Sequence, residues 1–285
     1  MHAAAASRTI VTGMPKPRDV NQAWWDERAR LHGRDGWFYD IAGFLAGDSA
    51  ISRRELDELE AAVGSIQGVD LLHLQCHIGV STLSLARMGA RVTGLDFSPE
   101  ALRRARETAD AASLNAEFVE ADVLDVPHEL HGRFDVVFAS YGVLVWVVDL
   151  CAWMRSVAAS LRPGGKLILV EGHPILTMVQ SVDPPVLGWA YQGGEPAARY
   201  MPGDYAERGA VTTANDIVMY AHGLGDVVSA AADAGLRVES LTEWLDAEWA
   251  PEGGKLVRED DGRYRLAFAG SHLPVEFAVR ASKNT

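Results

Sequence analysis

Short apolar runs of strand length alternate with helical patterns along the chain from Val69 onward. The runs VDLLHL, RVTGLD, AEFVEADV, RFDVVFAS and KLILVEG each predict a buried strand, which makes five strands in this region. The helix after RVTGLD begins at Ser98, an N-cap residue, and Pro99, which suits a first helical position. Such alternation is typical of βαβ units in a parallel sheet. The pattern therefore predicts an α/β domain.

The C-terminal part of the chain adds a helix and a strand pair. GLGDVVSAAADAG predicts the helix, and LRVESLTEW and LPVEFAVRAS predict two strands, joined by a long connection that contains EDDGRYRLAF. Because these two strands are near each other in sequence, we expect them to pair antiparallel. The predicted fold is a doubly wound, Rossmann-like, seven-stranded sheet, mostly parallel with an antiparallel last strand.

The remaining segments suggest a division of the chain. Residues 1–16 show no apolar period and predict a disordered arm. Residues 17–66 mix aromatic and charged side chains and predict an N-terminal helical cap before a core at 67–172. Residues 173–215 are rich in proline and glycine, which predicts a lid insertion over a pocket. Residues 216–285 are expected to complete the core sheet.

Charge and composition limit the partners. The 285 residues include 26 basic and 39 acidic side chains, a formal net charge of -13, which would repel a nucleic acid. No apolar run reaches the ~20 residues that span a bilayer, so we predict a cytoplasmic protein with no membrane partner. Two cysteines, Cys76 and Cys151, fit a reducing compartment. The oligomeric state stays open, a homo-oligomer included.

The turn after the first strand departs from a dinucleotide-binding turn. The pattern G-x-G-x-x-G would need glycine where Gln75, His77 and Val80 stand, which argues against close approach of a pyrophosphate. His73, Cys76 and His77 carry metal-ligating atoms, but a strand-to-turn junction points them in different directions. No second cluster completes a tetrahedral site, so no metal is predicted.

Polar residues end the predicted strands in an order that resembles the class I S-adenosylmethionine-dependent methyltransferases. Asp96 ends the second strand, Asp122 the third and SYG the fourth, and LRPGG precedes the fifth. The resemblance covers roughly Val69 to Pro174. LLHLQCHIG, VTGLDFSPEAL, FDVVFASYGVLVW, LRPGGKLILVEGHP and AGLRVE are similar to a bacterial branch of small-molecule methyltransferases. The resemblance implies a methyltransferase sheet, S-adenosylmethionine as cofactor and a small-molecule, specialised-metabolite acceptor.

The resemblance also implies the cofactor site. The first turn would receive the methionine part, with Gly79 allowing a close approach. Asp96 would bind the ribose hydroxyls and Asp122 the adenine amine, with Phe97 or Val123 against the ring. Where the family usually has an acid before the turn, this chain has His73. The predicted cofactor-binding residues are His73, Gln75, Cys76, His77, Gly79, Asp96, Phe97, Asp122, Val123, Ser140 and Tyr141.

The predicted chemistry needs a base. Methyl transfer from a sulfonium is an in-line displacement, so the protein must align donor and acceptor and accept a proton from the acceptor. Glu171 and His173 lie at the carboxyl end of the fifth strand, and His222 precedes the late helix. We predict these three as candidate catalytic residues.

Aromatic residues of the cap and of the fourth-strand loop are candidates for the acceptor pocket. The predicted acceptor-binding residues are Trp25, Phe38, Tyr39 and Trp146, with Trp24, Trp37 and Tyr141 as further candidates. Two acceptor types stay open: an amine or heteroaromatic nitrogen, and an isoprenoid-type alkene whose methylation gives a carbocation that rings stabilise and Glu171 deprotonates. A nicotinamide oxidoreductase and a non-catalytic binding protein remain as alternatives.

Overall fold

The computed structural model describes residues 16–34, 36, 38–193, 196–250 and 254–285. The predicted arm up to residue 15 and Trp37 lie outside the described residues. The helices are α1 (Pro17–Leu31), α2 (Ile41–Ala46), α3 (Arg53–Val63), α4 (Val80–Arg87), α5 (Pro99–Ala112), α6 (Leu150–Ser160), α7 (Ile175–Met178) and α8 (Leu224–Asp233). The strands are β1 (Asp70–Leu74), β2 (Arg91–Asp96), β3 (Glu117–Glu120), β4 (Phe134–Ser140), β5 (Leu161–Gly172), β6 (Val179–Val182), β7 (Pro185–Leu187), β8 (Ala197–Tyr200), β9 (Asp216–Met219), β10 (Leu236–Trp244), β11 (Val257–Arg258), β12 (Tyr264–Phe268), β13 (Ser271–Leu273) and β14 (Glu276–Lys283).

A seven-stranded sheet with the order β10-β14-β5-β4-β1-β2-β3 forms the centre of the molecule. Strand β14 runs antiparallel to its neighbours β10 and β5, and the other six strands of this sheet share one direction. This confirms the predicted fold class, including the antiparallel last strand. The chain builds one side of the sheet with β2 and β3 and then returns to the other side with β4. The switch point therefore lies between β1 and β4.

Helices cover both faces of the sheet because its central strands are apolar on both sides. Leu72 and Leu74 of β1 belong to a core that includes Trp153 of α6 and Val227 of α8. On the opposite face, Leu71 packs in a second core with residues of α3 and α4. Among the described residues, no helix is both long and apolar enough to cross a membrane.

Some local predictions agree with the structure and others need correction. The Oγ atom of Ser98 accepts a hydrogen bond from Ala101 N at 3.1 Å, and Pro99 is the first residue of α5, as predicted. The predicted RPGG turn lies inside β5, where the register with β4 shifts. The connection that contains EDDGRYRLAF forms β11, β12 and β13, a small three-stranded sheet that its pattern did not predict.

Helix α1 lies against the segment that follows the predicted lid. The side-chain amide of Asn21 donates to Val218 O at 2.9 Å and accepts from Val218 N at 2.8 Å, as a neighbouring strand would. The buried guanidinium of Arg28 donates to Gly203 O at 2.7 Å and Ala214 O at 2.5 Å. The contacts of Arg28 also join α1 to Gly203 and Ala214, which belong to the predicted lid segment. The lid and domain boundaries stay predictions.

Candidate active site

A cleft of about 730 Å³ opens at the carboxyl ends of β1, β2 and β4. This is the switch point, where doubly wound sheets bind their ligands. The predicted cofactor residues that line it are His73, Gln75, Cys76, His77, Gly79, Asp96, Phe97, Ser140 and Tyr141. The predicted acceptor residues that line it are Trp25, Tyr39 and Trp146.

A second cavity of about 910 Å³ adjoins the cleft and shares Gln75, Phe97 and Trp146 with it. Asp122 and Val123 line this cavity, so the remaining two predicted cofactor residues also lie at the site. Gln75, Asp96, Phe97, Asp122 and Val123 form what we call the strand-end side. Trp25, Tyr39, Trp146 and Tyr205 form the aromatic side. His77 lies between the two sides.

The turn after β1 adopts a left-handed backbone without glycine. Gln75 has φ 54° and His77 has φ 50°, a conformation that costs roughly 1–2 kcal/mol for a residue with a side chain. Long-range hydrogen bonds hold Gln75 in place: its side-chain amide donates to Val143 O at 3.0 Å and accepts from Trp153 Nε1 at 3.1 Å. Strain that the surroundings hold in place at a cleft indicates a functional position.

Packing requires a glycine at position 79. Its φ is 74°, and a Cβ atom there would lie 2.7 Å from Ala105 Cβ and 3.0 Å from Phe118 Cε1. The missing side chain thus allows the start of α4 to pack against α5 and β3. Gly79 also lines the cleft, so its expected close approach to the cofactor stays a prediction beside this packing role.

Asp96 ends β2 with both carboxylate oxygens engaged. Oδ1 accepts from Ser98 N and Oδ2 from His77 N, both at 2.9 Å. Burial raises the pKa of Asp96 to about 6, and the hydrogen bonds from the backbone of Ser98 and His77 oppose this rise. Each carboxylate oxygen accepts more than one hydrogen bond. Above pH 6 the ionised group is therefore able to bind a pair of ligand hydroxyls as well.

Asp122 lies two residues beyond the end of β3 and already has partners. Oδ1 accepts from Leu124 N at 2.9 Å, and Oδ2 lies 3.0 Å from Arg18 Nε of α1. The start of α1 therefore lies over this end of the cavity. A ligand amine that donates to Asp122 would share the carboxylate with Arg18.

His73 stands where the family usually has an acid, and it is neutral. Its Nδ1 lies 2.7 Å from Thr82 Oγ1, and its ring lies 5.0 Å from the ring of Phe138. Burial lowers the pKa of His73 to about 4. Burial also raises the pKa of the neighbouring Cys76 thiol well above its ordinary value. At positions 73 and 76 the cleft therefore carries neither the negative charge that is usual in the family nor a thiolate.

Glu171 is occupied by the backbone. Its carboxylate accepts hydrogen bonds from the N–H groups of Gly142, Val143, Leu144 and Gly172. Burial raises the pKa of Glu171, and these backbone hydrogen bonds lower it in part. Glu171 does not belong to the described lining of the cleft. It holds the loop that follows β4, and its predicted role as base gains no support from its position.

His173 and His222 also lie outside the described lining. His173 Nε2 lies 2.9 Å from Glu243 Oε1, and its Nδ1 accepts from Ile175 N at 3.2 Å. His222 Nε2 lies 2.7 Å from Val147 O. Both predicted base roles stay predictions that no cleft contact supports.

Tryptophan rings form one wall of the aromatic side. Trp25 packs edge-on against Trp146, with ring centroids 5.3 Å apart, and against His77 at 5.0 Å. Trp24 is buried behind them, 4.9 Å from Trp25, and the guanidinium of Arg28 lies over its ring. Trp24 therefore supports the wall without lining the cleft.

Tyrosine residues form the other wall. Tyr39 OH and Tyr205 OH are 2.8 Å apart, and both rings line the cleft. Phe38 packs on Tyr39 at 4.6 Å and on Trp249 at 4.5 Å but is not part of the described lining. Its predicted acceptor contact thus gains no support.

Three functional candidates were not predicted from the sequence: His32, Asp204 and Tyr205. His32 Nδ1 lies 2.7 Å from His77 Nε2, and His32 Nε2 lies 3.1 Å from Asp204 Oδ2. A separation of 172 residues divides His32 from Asp204, so no local pattern pairs them. In the described ranges no group of three or more His, Cys, Asp or Glu side chains is arranged to hold a metal ion.

Comparisons with known proteins identify the family. Residues 71–165 match a family model described as a methyltransferase domain. A ubiquinone biosynthesis O-methyltransferase from Xanthomonas oryzae pv. oryzae is 30% identical over 188 residues, which cover 66% of this chain and 73% of that protein. The chain belongs to the class I S-adenosylmethionine-dependent methyltransferases, and it is an enzyme that uses S-adenosylmethionine.

Solved structures agree on the fold. An S-adenosylmethionine-dependent methyltransferase from Mesorhizobium loti is 21% identical, with a TM-score of 0.52 over 84% of this chain and 100% of that one. The cyclase SpnF is 17% identical, with a TM-score of 0.58 over 95% and 98% of the two chains. Because these proteins differ in activity, the shared fold alone does not decide the reaction.

The cleft residues fit S-adenosylmethionine. The second cavity offers the apolar side chains of Val123, Leu124 and Val147 to a flat ring. Asp96 offers a buried carboxylate to a diol, and the turn after β1 offers backbone groups to an amino-acid tail. When bound, the cofactor supplies a methyl group on a positively charged sulfur.

Proposed function

We propose that this enzyme methylates a hydroxyl oxygen of a small aromatic acceptor held on the aromatic side of the cleft. The supporting observation is the wall of Trp25, Tyr39, Trp146 and Tyr205 directly beside the turn after β1. Flat apolar rings stack well in such a wall, and tyrosine hydroxyls at its edge orient a polar substituent. The name of the matched relative, an O-methyltransferase, supports oxygen as the methylated atom.

The residues of the site would mainly hold the donor and the acceptor in line and keep water away from them. Asp96 fixes the donor relative to the sheet, and the strained turn at Gln75 and His77 is held rigidly by hydrogen bonds. The rings of Trp25 and Trp146, which line the aromatic side, would exclude water from a bound acceptor. Rigid alignment of two reactants is a large part of the rate enhancement for a displacement on an already activated carbon.

The other acceptor types receive less support. Alkene methylation relied on Glu171 as the base, and that carboxylate is taken up by four backbone N–H groups. A nitrogen acceptor receives less support because the matched relative is named an O-methyltransferase. Membership in the methyltransferase family argues against a nicotinamide oxidoreductase and a non-catalytic binding protein.

A product analysis tests the proposal. The enzyme would be incubated with methyl-labelled S-adenosylmethionine and, separately, catechol, aniline or styrene, and mass spectrometry would locate the label. We expect an O-methyl ether from catechol and no transfer to the other two probes. Label on nitrogen or carbon would contradict the choice of oxygen. The same assay on a bacterial metabolite extract would show whether the natural acceptor is a quinone precursor or a specialised metabolite.

A further inference from the structure

Three side chains form a buried chain of hydrogen bonds that ends in the cleft wall. Asp204 Oδ2 lies 3.1 Å from His32 Nε2, and His32 Nδ1 lies 2.7 Å from His77 Nε2. The side chains of Asp204 and His32 are fully buried, whereas His77 lines the cleft. The Nδ1 atom of His77 has no hydrogen-bond partner in the described part of the protein. Within the three hydrogen-bonded side chains, His77 Nδ1 is therefore the atom that can bind a ligand in the cleft.

We propose that His77 is the catalytic base that accepts the proton of the acceptor hydroxyl, and that His32 and Asp204 are positioning residues that set its tautomer. This inference rests on the proposed function, because it assumes an acceptor with an acidic hydrogen. A base held by a second group, which is itself oriented by a carboxylate, is a recurrent arrangement for activating a hydroxyl.

The hydrogen-bond chain dictates where the protons lie. An ionised Asp204 only accepts hydrogen bonds, so His32 donates to it from Nε2. A neutral His32 then has its lone pair on Nδ1, and this atom accepts from His77 Nε2. A neutral His77 with a proton on Nε2 carries its lone pair on Nδ1. The free nitrogen of His77 is therefore a proton acceptor.

The far end of the chain is fixed by the backbone. Asp204 Oδ1 accepts from Ala206 N at 2.7 Å and from Glu207 N at 2.9 Å, and Arg28 Nε lies 3.7 Å from Oδ2. Burial raises the pKa of Asp204, but the hydrogen bonds from His32 and from these backbone groups outweigh it, and the pKa is lowered. Asp204 is therefore ionised, as the tautomer argument requires.

The middle of the chain is held by rings. His32 stacks on Tyr39 with 4.7 Å between centroids, and the ring of Tyr205 packs edge-on at 5.1 Å. The carbonyl of His32 accepts from Arg104 at 2.7 Å, which ties this end of α1 to α5. The imidazole of His32 thus has little room to rotate, and its two nitrogens stay directed at His77 and Asp204.

Burial keeps His77 neutral before the reaction. It lowers the pKa of His77 well below its ordinary value, and the nearby guanidinium of Arg104 acts in the same direction. Asp96 faces it through the backbone N–H of residue 77, and the neighbouring Trp25 and Tyr39 are uncharged. The buried Asp204 carboxylate is the negative charge that stabilises an imidazolium at His77 once a proton arrives, through His32.

The step balances as follows. The acceptor O–H bond breaks, and its proton passes to Nδ1 of His77. The oxygen forms a bond to the methyl carbon, and the electron pair of the breaking carbon–sulfur bond stays on sulfur, which becomes a neutral thioether. The proton on His77 then leaves to solvent when the products depart. No oxidant, reductant or metal is needed.

Nuclear magnetic resonance of ¹⁵N-histidine-labelled enzyme tests the tautomer without any acceptor. In the wild-type enzyme with S-adenosylhomocysteine, we expect His77 to show a protonated Nε2 and an unprotonated Nδ1 at pH 7.5. In Asp204→Asn, the amide donates to His32 Nε2, so both histidine tautomers should reverse and His77 Nδ1 should carry the proton. A protonated Nδ1 in the wild-type enzyme would overturn the inference even if methyl transfer is observed.

Kinetics with phenol, 4-chlorophenol and 4-nitrophenol test the base. For Asp204→Asn we expect kcat with phenol to fall roughly 100-fold, within the usual contribution of a general base, with cofactor affinity changed less than about twofold. The loss should shrink to a few-fold with 4-nitrophenol at pH 8, because that acceptor is already ionised. An equal loss with all three phenols would show that the chain is merely structural.

A matched control removes a different histidine that pairs with an acid. His272 lies 3.1 Å from Glu259 on the small outer sheet, so His272→Gln should retain wild-type kinetics. A wild-type enzyme that transfers no methyl group to catechol or to any of the three phenols would contradict the proposed function. In that case the labelled-histidine spectrum still decides the tautomer.

Discussion

The two sides of the cleft differ in how the chain builds them. The strand-end side comes from consecutive βα units: the turn after β1, the end of β2 and the residues after β3. The aromatic side combines Trp25 of α1, Tyr39, Trp146 after β4 and Tyr205 of the lid segment. The contact between Tyr39 and Tyr205 joins positions 166 residues apart. One side follows from topology, and the other depends on long-range packing.

This difference indicates a division of labour. Strand ends of a doubly wound sheet always meet at the switch point, so a shared cofactor is bound there throughout a family. Loops and caps tolerate change, so the acceptor is selected where those segments meet. If this holds, variants on the strand-end side should affect cofactor binding, and variants on the aromatic side should affect the acceptor.

The largest effect is expected from Asp96→Asn. The variant loses the charge that we expect to receive the ribose hydroxyls, so S-adenosylmethionine should bind at least about 100-fold more weakly, as hydrogen bonds to charged groups contribute about 1.5–3 kcal/mol each. Isothermal titration calorimetry measures this, with Asp110→Asn on the exposed side of α5 as the control. A change below threefold would show that Asp96 does not bind the cofactor and would contradict the assignment of cofactor binding to the strand-end side.

The second largest effect is a loss of folding stability at low pH, caused by protonation of His73 in the unfolded chain. Its pKa in the folded enzyme, about 4, lies below the ordinary value of 6.5, so the unfolded chain binds the proton first as the pH falls. The free energy of unfolding should thus be fully retained above pH 6.5 and drop by about 2 kcal/mol between pH 7.5 and pH 5 through this group. His77, with its lowered pKa, adds a loss of the same sign.

Urea unfolding at both pH values checks this expectation for wild type and His73→Gln. Glutamine retains a partner for Thr82 and does not titrate, so the variant should lose less stability on acidification. Equal pH dependence in both proteins would show that His73 is not the buried neutral group described above.

A smaller effect of about tenfold is expected for cofactor binding at low pH. Asp96 has a raised pKa of about 6, so at pH 5 only about a tenth of it is ionised, and the dissociation constant should rise about tenfold from its value at pH 7.5. Asp96→Asn should bind weakly at both pH values with no such change. A dissociation constant that does not change with pH in the wild-type enzyme would show that a group other than Asp96 binds the ribose.

The smallest effect is expected on the aromatic side. Trp25→Ala should raise the KM for catechol about three- to tenfold, because an aromatic contact contributes roughly 0.5–1.5 kcal/mol beyond its buried area. The cofactor dissociation constant should change less than about twofold, and Trp25→Phe should recover most of the KM. A larger effect on the cofactor than on catechol would show that the two sides are not separate.

The sequence predicted more of the strand-end side than of the aromatic side. Asp96 and Phe97 follow directly from a strand pattern, and both line the cleft. Gln75 and His77 were also predicted at this side and line the cleft, but their left-handed backbone was not predicted, because that conformation favours glycine. Glu171 shows the limit of such reasoning, since a strand-end carboxylate serves either a ligand or a loop, and here it binds the loop after β4.

The strands and helices of the seven-stranded sheet, its antiparallel last strand and the polar residues at the strand ends could be predicted from the sequence, since these depend on periodicity and chain connectivity. The folded structure was needed to show that His32 contacts both His77 and Asp204, and that a side chain at position 79 would collide with α5 and β3. The two kinds of feature differ in the range of the interactions that produce them. Periodicity reports on neighbours a few residues apart, whereas a hydrogen bond between positions 32 and 204 exists only after α1 and the lid segment have packed together.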